Sequence, residues 1–442
     1  MYCAYITTIK ELRKHSNADR LQIATVFGND VIVDLSYQIG DRVIYFPTDG
    51  QLSVEFANDN DLVRRKDENG NQCGGYLDPN KRNIKALKLR GEKSDGLVLP
   101  IGVLANYTDV DKLKDGDQIT VLNGHEICRK YIPKKTRSRH GNAKSQVNKK
   151  ELRESVSFPY FLEHIDTQQL AYNQSAFHEG DIIYLTRKIH GTSFRVSNGI
   201  KVTTKKRPHL IKKIFHIGDK VKKEYELVSG TRRVVLRTFD GGFYGSNAFR
   251  QKYHDFFKDK LPKNMTVYGE IAGWIDENTP IMPRCQNSKV KDKEFSKLYG
   301  EETIFTYGCE PGENRAFIYR ITVTNEDGIV FELPTEETIK WSERLGCEYV
   351  PLLEKFFYTT WEDLNERCEK YLDIPEPLAN GKHVVEGVVA RIDNRSTFTA
   401  FKAKSFTFKV LEGIIKEEAD APDIEEAEEL LAAEFDEMEV TS

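Results

Sequence analysis

Residues 186–194 read TRKIHGTSF and follow the apolar run DIIYL at 181–185. That run has the length and β-branched content of a buried strand, so Lys188 stands at a strand end, three residues before Gly191. An ammonium in such a place is costly unless a counter-charge meets it. Three other stretches repeat the problem. In MTVYGEIAGW (265–274) Glu270 interrupts a core-like strand, and in HVVEGVVAR (383–391) Glu386 does the same between valines. Period-2 geometry predicts one face for Val384, Glu386 and Val388 and the other for Val385, Gly387 and Val389. In FTAFKAKSF (398–406) Lys402 and Lys404 share one face, roughly 7 Å apart, and repel unless an anion lies over them. The economical arrangement is a single site. Lys188, Lys402 and Lys404 surround a polyphosphate, while Glu270 and Glu386 hold a metal ion or its waters.

Taken in order, Lys188-Ile189-His190-Gly191-Thr192, VYGEIAG around Glu270, IFTYG with Tyr307, VEGVV around Glu386 and Lys402-Ala403-Lys404 resemble motifs I, III, IIIa, IV and V of the covalent nucleotidyltransferases. That superfamily holds the polynucleotide ligases and the mRNA capping guanylyltransferases. Histidine at the third motif I position, and Ser193 where many relatives carry arginine, resemble the RNA ligase 2 type. The resemblance implies an ATP-dependent RNA ligase that joins 3'-OH and 5'-phosphate RNA ends, with ATP and Mg2+ (or Mn2+) as cofactors. It implies Lys188 as the nucleophile that becomes lysyl-AMP, with Lys402 and Lys404 on the α-phosphate. Glu270 would take the ribose or a metal-bound water, Glu386 the metal, and Tyr307 would stack on adenine, with Phe305 as runner-up. Arg232, in SGTRRVVL, with the adjacent Arg233 as the alternative, would contact a phosphate of ATP or of the RNA 5' end, and His190 and Gly191 complete the nucleotide-binding turn. A DNA ligase or capping enzyme is the nearby alternative; a non-catalytic RNA- or tRNA-binding protein is the alternative of another class.

Outward from the motifs, the sequence predicts an α+β chain: an N-terminal OB-like β-barrel followed by an antiparallel-sheet nucleotidyltransferase domain. Residues 1–122 alternate apolar and polar positions in short runs, and IKELRKHSNADRLQIATV resembles the opening of OB-type tRNA-binding modules. A basic linker spans 123–150, the nucleotidyltransferase domain 151–411, and an acidic tail 412–442. Helices are expected around 247–259, 335–346 and 360–371. In the tail, Pro422 can open a helix with apolar residues at helical spacing.

The net charge of −4 conceals an asymmetry, because residues 412–442 hold thirteen acids against Lys416. The rest of the chain is therefore +8. Residues 129–150 and 201–223 each carry nine Lys or Arg, which fits a polyanionic partner such as RNA. No apolar run is long enough for a membrane helix, and the opening MYCAYITTIKEL lacks signal-peptide order. Seven dispersed cysteines without a CxxC pair argue against zinc or disulfide frameworks and predict a cytoplasmic location. A monomer is expected.

Overall fold

A computed structural model describes residues 2–133, 154–207, 218–241, 244, 246–393 and 395–418. The chain divides into two units, one holding residues 2–133 with 405–417, the other the described residues from 154 to 404. The strand Asn29–Asp34 of the first unit alternates buried and more exposed positions and so buries one face, whereas Arg42–Phe46 is buried on both faces from Val43 to Phe46. Its principal strands are β1 (Ala4–Thr8), β2 (Glu11–Lys14), β3 (Leu21–Val26), β4 (Asn29–Asp34), β5 (Arg42–Phe46), β6 (Leu97–Pro100) and β7 (Gln118–Ile119). They form an antiparallel sheet in the order β6-β5-β1-β7 and a separate meander β2-β3-β4. Ile6, Ile44, Phe46 and Leu99 enter a core shared with Phe56, Leu104 and Ile127.

Among the described residues these strands do not close into the expected barrel. They run two to six residues, too short to carry an unbroken ladder around one. The unit also extends past the boundary expected at 122, because Cys128–Lys130 pairs antiparallel with Gly50–Leu52. The boundary expected at 411 falls inside a helix, Phe406–Glu418. That helix packs on the first unit: Phe408 and Leu411 are fully buried, Lys416 Nζ lies 2.7 Å from Asp49 Oδ1, and Glu417 pairs with Lys85. Most of the basic stretch 129–150, part of 201–223 and the tail beyond residue 418, with its expected helix after Pro422, lie outside the described residues.

The second unit holds β8 (Glu154–Ser157), β9 (Gln168–Gln169), β10 (Ile182–Lys188), β11 (Thr192–Lys205), β12 (Lys220–Gly230), β13 (Val235–Leu236) and β14 (Met265–Gly273). It continues with β15 (Asn314–Thr324), β16 (Val330–Glu332), β17 (Glu348–Tyr349), β18 (Leu352–Phe357), β19 (Gly387–Ile392) and β20 (Thr399–Lys404). An eight-stranded sheet runs β13-β12-β11-β14-β15-β16, with β8 on β11 and β17 on β15; a five-stranded sheet runs β9-β20-β19-β10-β18. The only connection between β10 and β11 is the three-residue turn Ile189-His190-Gly191, so the motif quoted first is where one sheet passes into the other.

Alternation decides what the smaller sheet presents on each side. Ile183 and Leu185 of β10, Val388, Ala390 and Ile392 of β19, and Phe401 of β20 form a core with Leu364 and Cys368. The latter two sit one turn apart on the helix Trp361–Glu369, whose N-cap Thr360 Oγ1 accepts the Asp363 N–H at 3.2 Å. Lys188, Lys402 and Lys404 therefore project from the opposite face. The helices Ala248–Phe257 and Thr335–Leu345 likewise stand where the sequence predicts them.

Two expected strands differ. The strand through IFTYG is reduced to Glu302–Thr303, and Tyr307 and Gly308 turn the chain with φ of 49° and 80°. A bulky residue in that region costs about 1–3 kcal/mol, strain characteristic of functional sites. Strand β19 begins only at Gly387, so Glu386 lies just before it. The two-face alternation expected for 384–389 fails there, with Val384 and Val385 both buried.

Candidate active site

The register places Lys188 opposite Gly387, and Gly387 opposite Lys404. Two lysines thus flank one glycine across three adjacent strands, roughly 10 Å apart by backbone spacing. A β-carbon on Gly387 would overlap the Ala403 carbonyl, so only glycine fits the middle strand. The carboxylate of Glu386 lies with Oε1 at 2.8 Å from Lys188 Nζ and 3.9 Å from Lys404 Nζ. Glu386 is 2% exposed and Lys188 23%. Burial pushes the Glu386 carboxyl up, yet Lys188, His190 and Lys404 together hold it below its ordinary value. It is a charged carboxylate at neutral pH.

Lys402, one pleat from Lys404, has a pKa lowered to about 8. Burial is the largest cause, then repulsion from Lys404 and Lys188; Glu386 opposes the shift and Arg232 adds to it. Three lysines and one buried carboxylate thus share a field with a deficit of negative charge, which suits an anion. Because its ordinary value is higher, Lys402 in the free protein is charged below about pH 8 and neutral above it. Affinity for a polyphosphate should therefore fall as pH rises through that value, by up to about tenfold per unit where the bound form requires the charge. Equilibrium binding of an ATP analogue blocked at the α–β bridge checks this. Lys402→Arg should move the break out of range, and an identical break in that variant would assign it elsewhere.

The larger sheet contributes its own residues. Ser193 pairs with Glu270 in the β11–β14 register, and Ser193 Oγ donates to Glu270 Oε1 at 3.0 Å. Ser193 thus orients the carboxylate on the next strand. Gly191 lets the turn press against β14, where a β-carbon would overlap the Ile271 carbonyl. Arg232 donates through Nε to Asp166 Oδ1 at 3.0 Å, with a second contact from Nη2 to the same oxygen. Asp166 carries no signal in the sequence. It is also held below its ordinary value by Arg232, Arg233 and Lys402 against the upward push of burial, which places it within the field of the lysines.

Tyr307 does not offer a stacking face. Its ring is fully buried, edge-on to His383 at 5.0 Å and to Phe317 at 6.2 Å, and its hydroxyl accepts the His190 N–H at 2.6 Å. Burial, then Glu386 and Glu376, raise its pKa well above the usual tyrosine value, so it stays a neutral hydroxyl. Phe305 is buried as well, edge-on to the His190 ring at 4.8 Å. Both aromatics pack against His190 of the turn that follows Lys188.

Among the described residues no group of three or more His, Cys, Asp or Glu is placed to hold a metal by itself. Glu386 Oε2 is nonetheless buried without a hydrogen-bond partner among them, and a carboxylate oxygen in that condition suits a hard divalent cation or its water. Such ions keep several waters and take substrate phosphates as further ligands, so one or two carboxylates suffice.

A lysine amine beside two further lysines and a buried carboxylate makes a site suited to a polyphosphate. The chain belongs to the RNA ligase family, whose sequence profile matches residues 181–411. Among solved structures it is similar to Naegleria gruberi RNA ligase. The form with pyrophosphate has 18% identity and a TM-score of 0.56, covering 95% of this chain and 99% of that one. A mutant with AMP and Mn gives 18% and 0.55, covering 92% and 97%, and a mutant with ATP and Mn gives 18% and 0.55, covering 94% and 99%. At this identity the likeness is one of fold. Among curated proteins no relative is found.

Proposed function

We propose that the protein is an ATP-dependent RNA ligase acting through an adenylated lysine at Lys188. The observation that carries this reading is the row Lys188–Gly387–Lys404 with Glu386 between its lysines and Lys402 beside it. Membership of the RNA ligase family supports it, as does the similarity to a ligase solved with ATP, AMP, pyrophosphate and manganese.

In the first step the neutral Lys188 amine attacks the α-phosphate of ATP, forming a P–N bond and giving a proton to solvent as the bond to the β-phosphate oxygen breaks and pyrophosphate leaves. A 5'-phosphate oxygen of RNA then attacks the same phosphorus, the P–N bond breaks as the lysine nitrogen takes a proton back from solvent, and AMP is carried on the RNA end. Last, a 3'-OH attacks the 5'-phosphorus, gives its proton to solvent, and AMP departs. Each displacement depends on alignment and on charge neutralisation. Lys402 and Lys404 bear on the α-phosphate from the strand face they share with the nucleophile. Arg232 takes a phosphate of ATP or of the RNA end, and Glu270, fixed by Ser193, takes the ribose or a metal-bound water. Tyr307 holds the turn through the His190 amide. Glu386 would hold a magnesium or manganese ion, which would supply positive charge to the phosphates; a carboxylate shared with that ion would hold the Lys188 ammonium less strongly and so favour loss of its proton.

We read the antiparallel sheets of residues 1–122 as an OB-like RNA-binding module, supported by their short alternating strands, and the protein as a monomer. Unbridged thiols at all seven cysteines support a reducing, cytoplasmic location. No helix among the described residues is long and apolar enough to cross a membrane. The test of function is joining. With ATP and magnesium, RNA strands bearing a 3'-OH and a 5'-phosphate should be sealed, and strands with a 5'-hydroxyl should not. Joining of DNA strands alone would make this a DNA ligase, and label transfer from GTP but not ATP would move it to capping chemistry.

A further inference from the structure

Arg195 lies on β11, two residues beyond Ser193, and is 1% exposed. A buried guanidinium normally meets a carboxylate, but this one meets main chain. Nε donates to the Thr231 carbonyl at 2.8 Å and Nη2 to the Arg233 carbonyl at 3.0 Å. Nη1 donates to the carbonyls of Phe161 at 2.8 Å and Leu162 at 2.7 Å. The guanidinium also lies over the Phe161 ring, 4.1 Å from its centroid. Four of its five donors are thus committed to two chain segments that are about 70 residues apart in sequence.

Both segments bear on Arg232. Thr231 and Arg233 are its immediate neighbours, and its own carbonyl accepts the His164 N–H at 3.1 Å. Asp166, which holds its side chain, follows the 161–162 segment by four residues. The turn is further closed by the Thr231 N–H on the Val234 carbonyl at 2.9 Å. The backbone on either side of Arg232 and the strip that supplies its carboxylate partner are therefore stapled together by one side chain. That side chain belongs to the strand issuing from the turn after Lys188, where Arg195 also stands opposite Gly230 in the ladder leading to Arg232.

We propose that Arg195 is a positioning residue that fixes Arg232 relative to Lys188, so that the arginine meets its phosphate in line with the nucleophile. The inference rests on the phosphate-binding role proposed for Arg232. Lysine in its place cannot reach four carbonyls from one nitrogen with three protons, and methionine keeps the stem but none of the donors. A misplacement of about 1 Å at a reacting group can cost on the order of 100-fold in rate.

The experiment is a double-mutant comparison on the full chain. Arg195→Met and Arg195→Lys are made alone and in an Arg232→Ala background. Label transfer from ATP, KM and kcat for joining 5'-phosphate RNA, and thermal midpoint are read for each. Arg195→Met is expected to cost roughly 10- to 100-fold in the step that Arg232→Ala impairs, with less than about twofold added once Arg232 is gone. The lysine variant should fall between and carries the comparison if the methionine variant fails to fold. The thermal midpoint should drop equally in both backgrounds, since the carbonyls are orphaned either way. Losses that multiply independently, or an Arg195 variant that joins at the parent rate, overturn the proposal. If Arg232→Ala alone leaves every step intact, the assignment of Arg232 to a phosphate is what has failed.

Discussion

Lys188→Ala protein incubated with magnesium and α-labelled ATP is expected to carry no label after denaturation, a loss of roughly 10⁴-fold or more, as when an enzymatic nucleophile is removed. No other amine is equivalently placed. Lys402 and Lys404 share the face and the field, but Lys404 is separated from Lys188 by the Gly387 strand, and Lys402 lies one pleat further along. The two remaining lysines would bind the α-phosphate without a nucleophile aligned on it. The final sealing step does not use the Lys188 amine, so an RNA strand already carrying AMP on its 5'-phosphate should still be joined by the variant. That survival separates a lost nucleophile from a lost fold. Label retained on Lys188→Ala protein would transfer the role to another residue.

Glu386→Gln is the second large effect, and it acts on both charge and metal. The carboxylate is buried between two ammonium groups and held below its usual pKa against the cost of burial. Its contribution to stability is therefore present above the unfolded carboxylate value of about 4.3 and lost as pH falls through the lower folded value. Removing one partner of a fully buried pair typically costs about 3–5 kcal/mol. Here the cost is smaller, because Lys188 is 23% exposed and can recover water. The protein should stay folded, while label transfer falls on the order of 10²- to 10³-fold, the scale seen when one preorganised charge-stabilising group is removed. The magnesium concentration needed for half-maximal label should rise as well. An unchanged magnesium dependence would take Glu386 out of the metal's surroundings and leave it only as the counter-charge of the lysines.

The two variants differ in what they do to the empty site. Losing Lys188 leaves Glu386 with Lys404 as its remaining close ion-pair partner, so the free protein should tolerate it well. Losing the Glu386 charge leaves Lys188, Lys402 and Lys404 repelling one another until an anion arrives. ATP should accordingly raise the thermal midpoint of Glu386→Gln protein by more than that of the parent, since the polyphosphate replaces the missing negative charge.

Local periodicity was enough to find the centre of the site from the sequence. A strand has a period of two, so Lys402 and Lys404 had to share a face. An ammonium or carboxylate inside an apolar run had to find a counter-charge, which placed Lys188 and Glu386 in one site, although their direct ion pair appears only in the structure. The helix Trp361–Glu369 likewise stands where one was expected, around 360–371. These features depend only on neighbours within a few residues.

What tertiary structure alone decided are the contacts between residues distant in sequence. Glu386 precedes its strand rather than lying in it, because Gly387 is where the ladder between Lys188 and Lys404 begins. Tyr307 is drawn inside by its hydrogen bond to the His190 amide, across 117 residues, and so supports the turn instead of facing a base. Short ladders in the first unit end as separate sheets, and the helix Phe406–Glu418 packs there through Asp49 and Lys85 although it follows the last strand of the second. Arg195 reads in sequence as one more charge in a strand, and only the fold supplies the four carbonyls it holds. Alternation of side chains is a property of the local backbone and can be read in one dimension; which strand lies beside which, and which carbonyls are left for a buried arginine, follows from packing the whole chain.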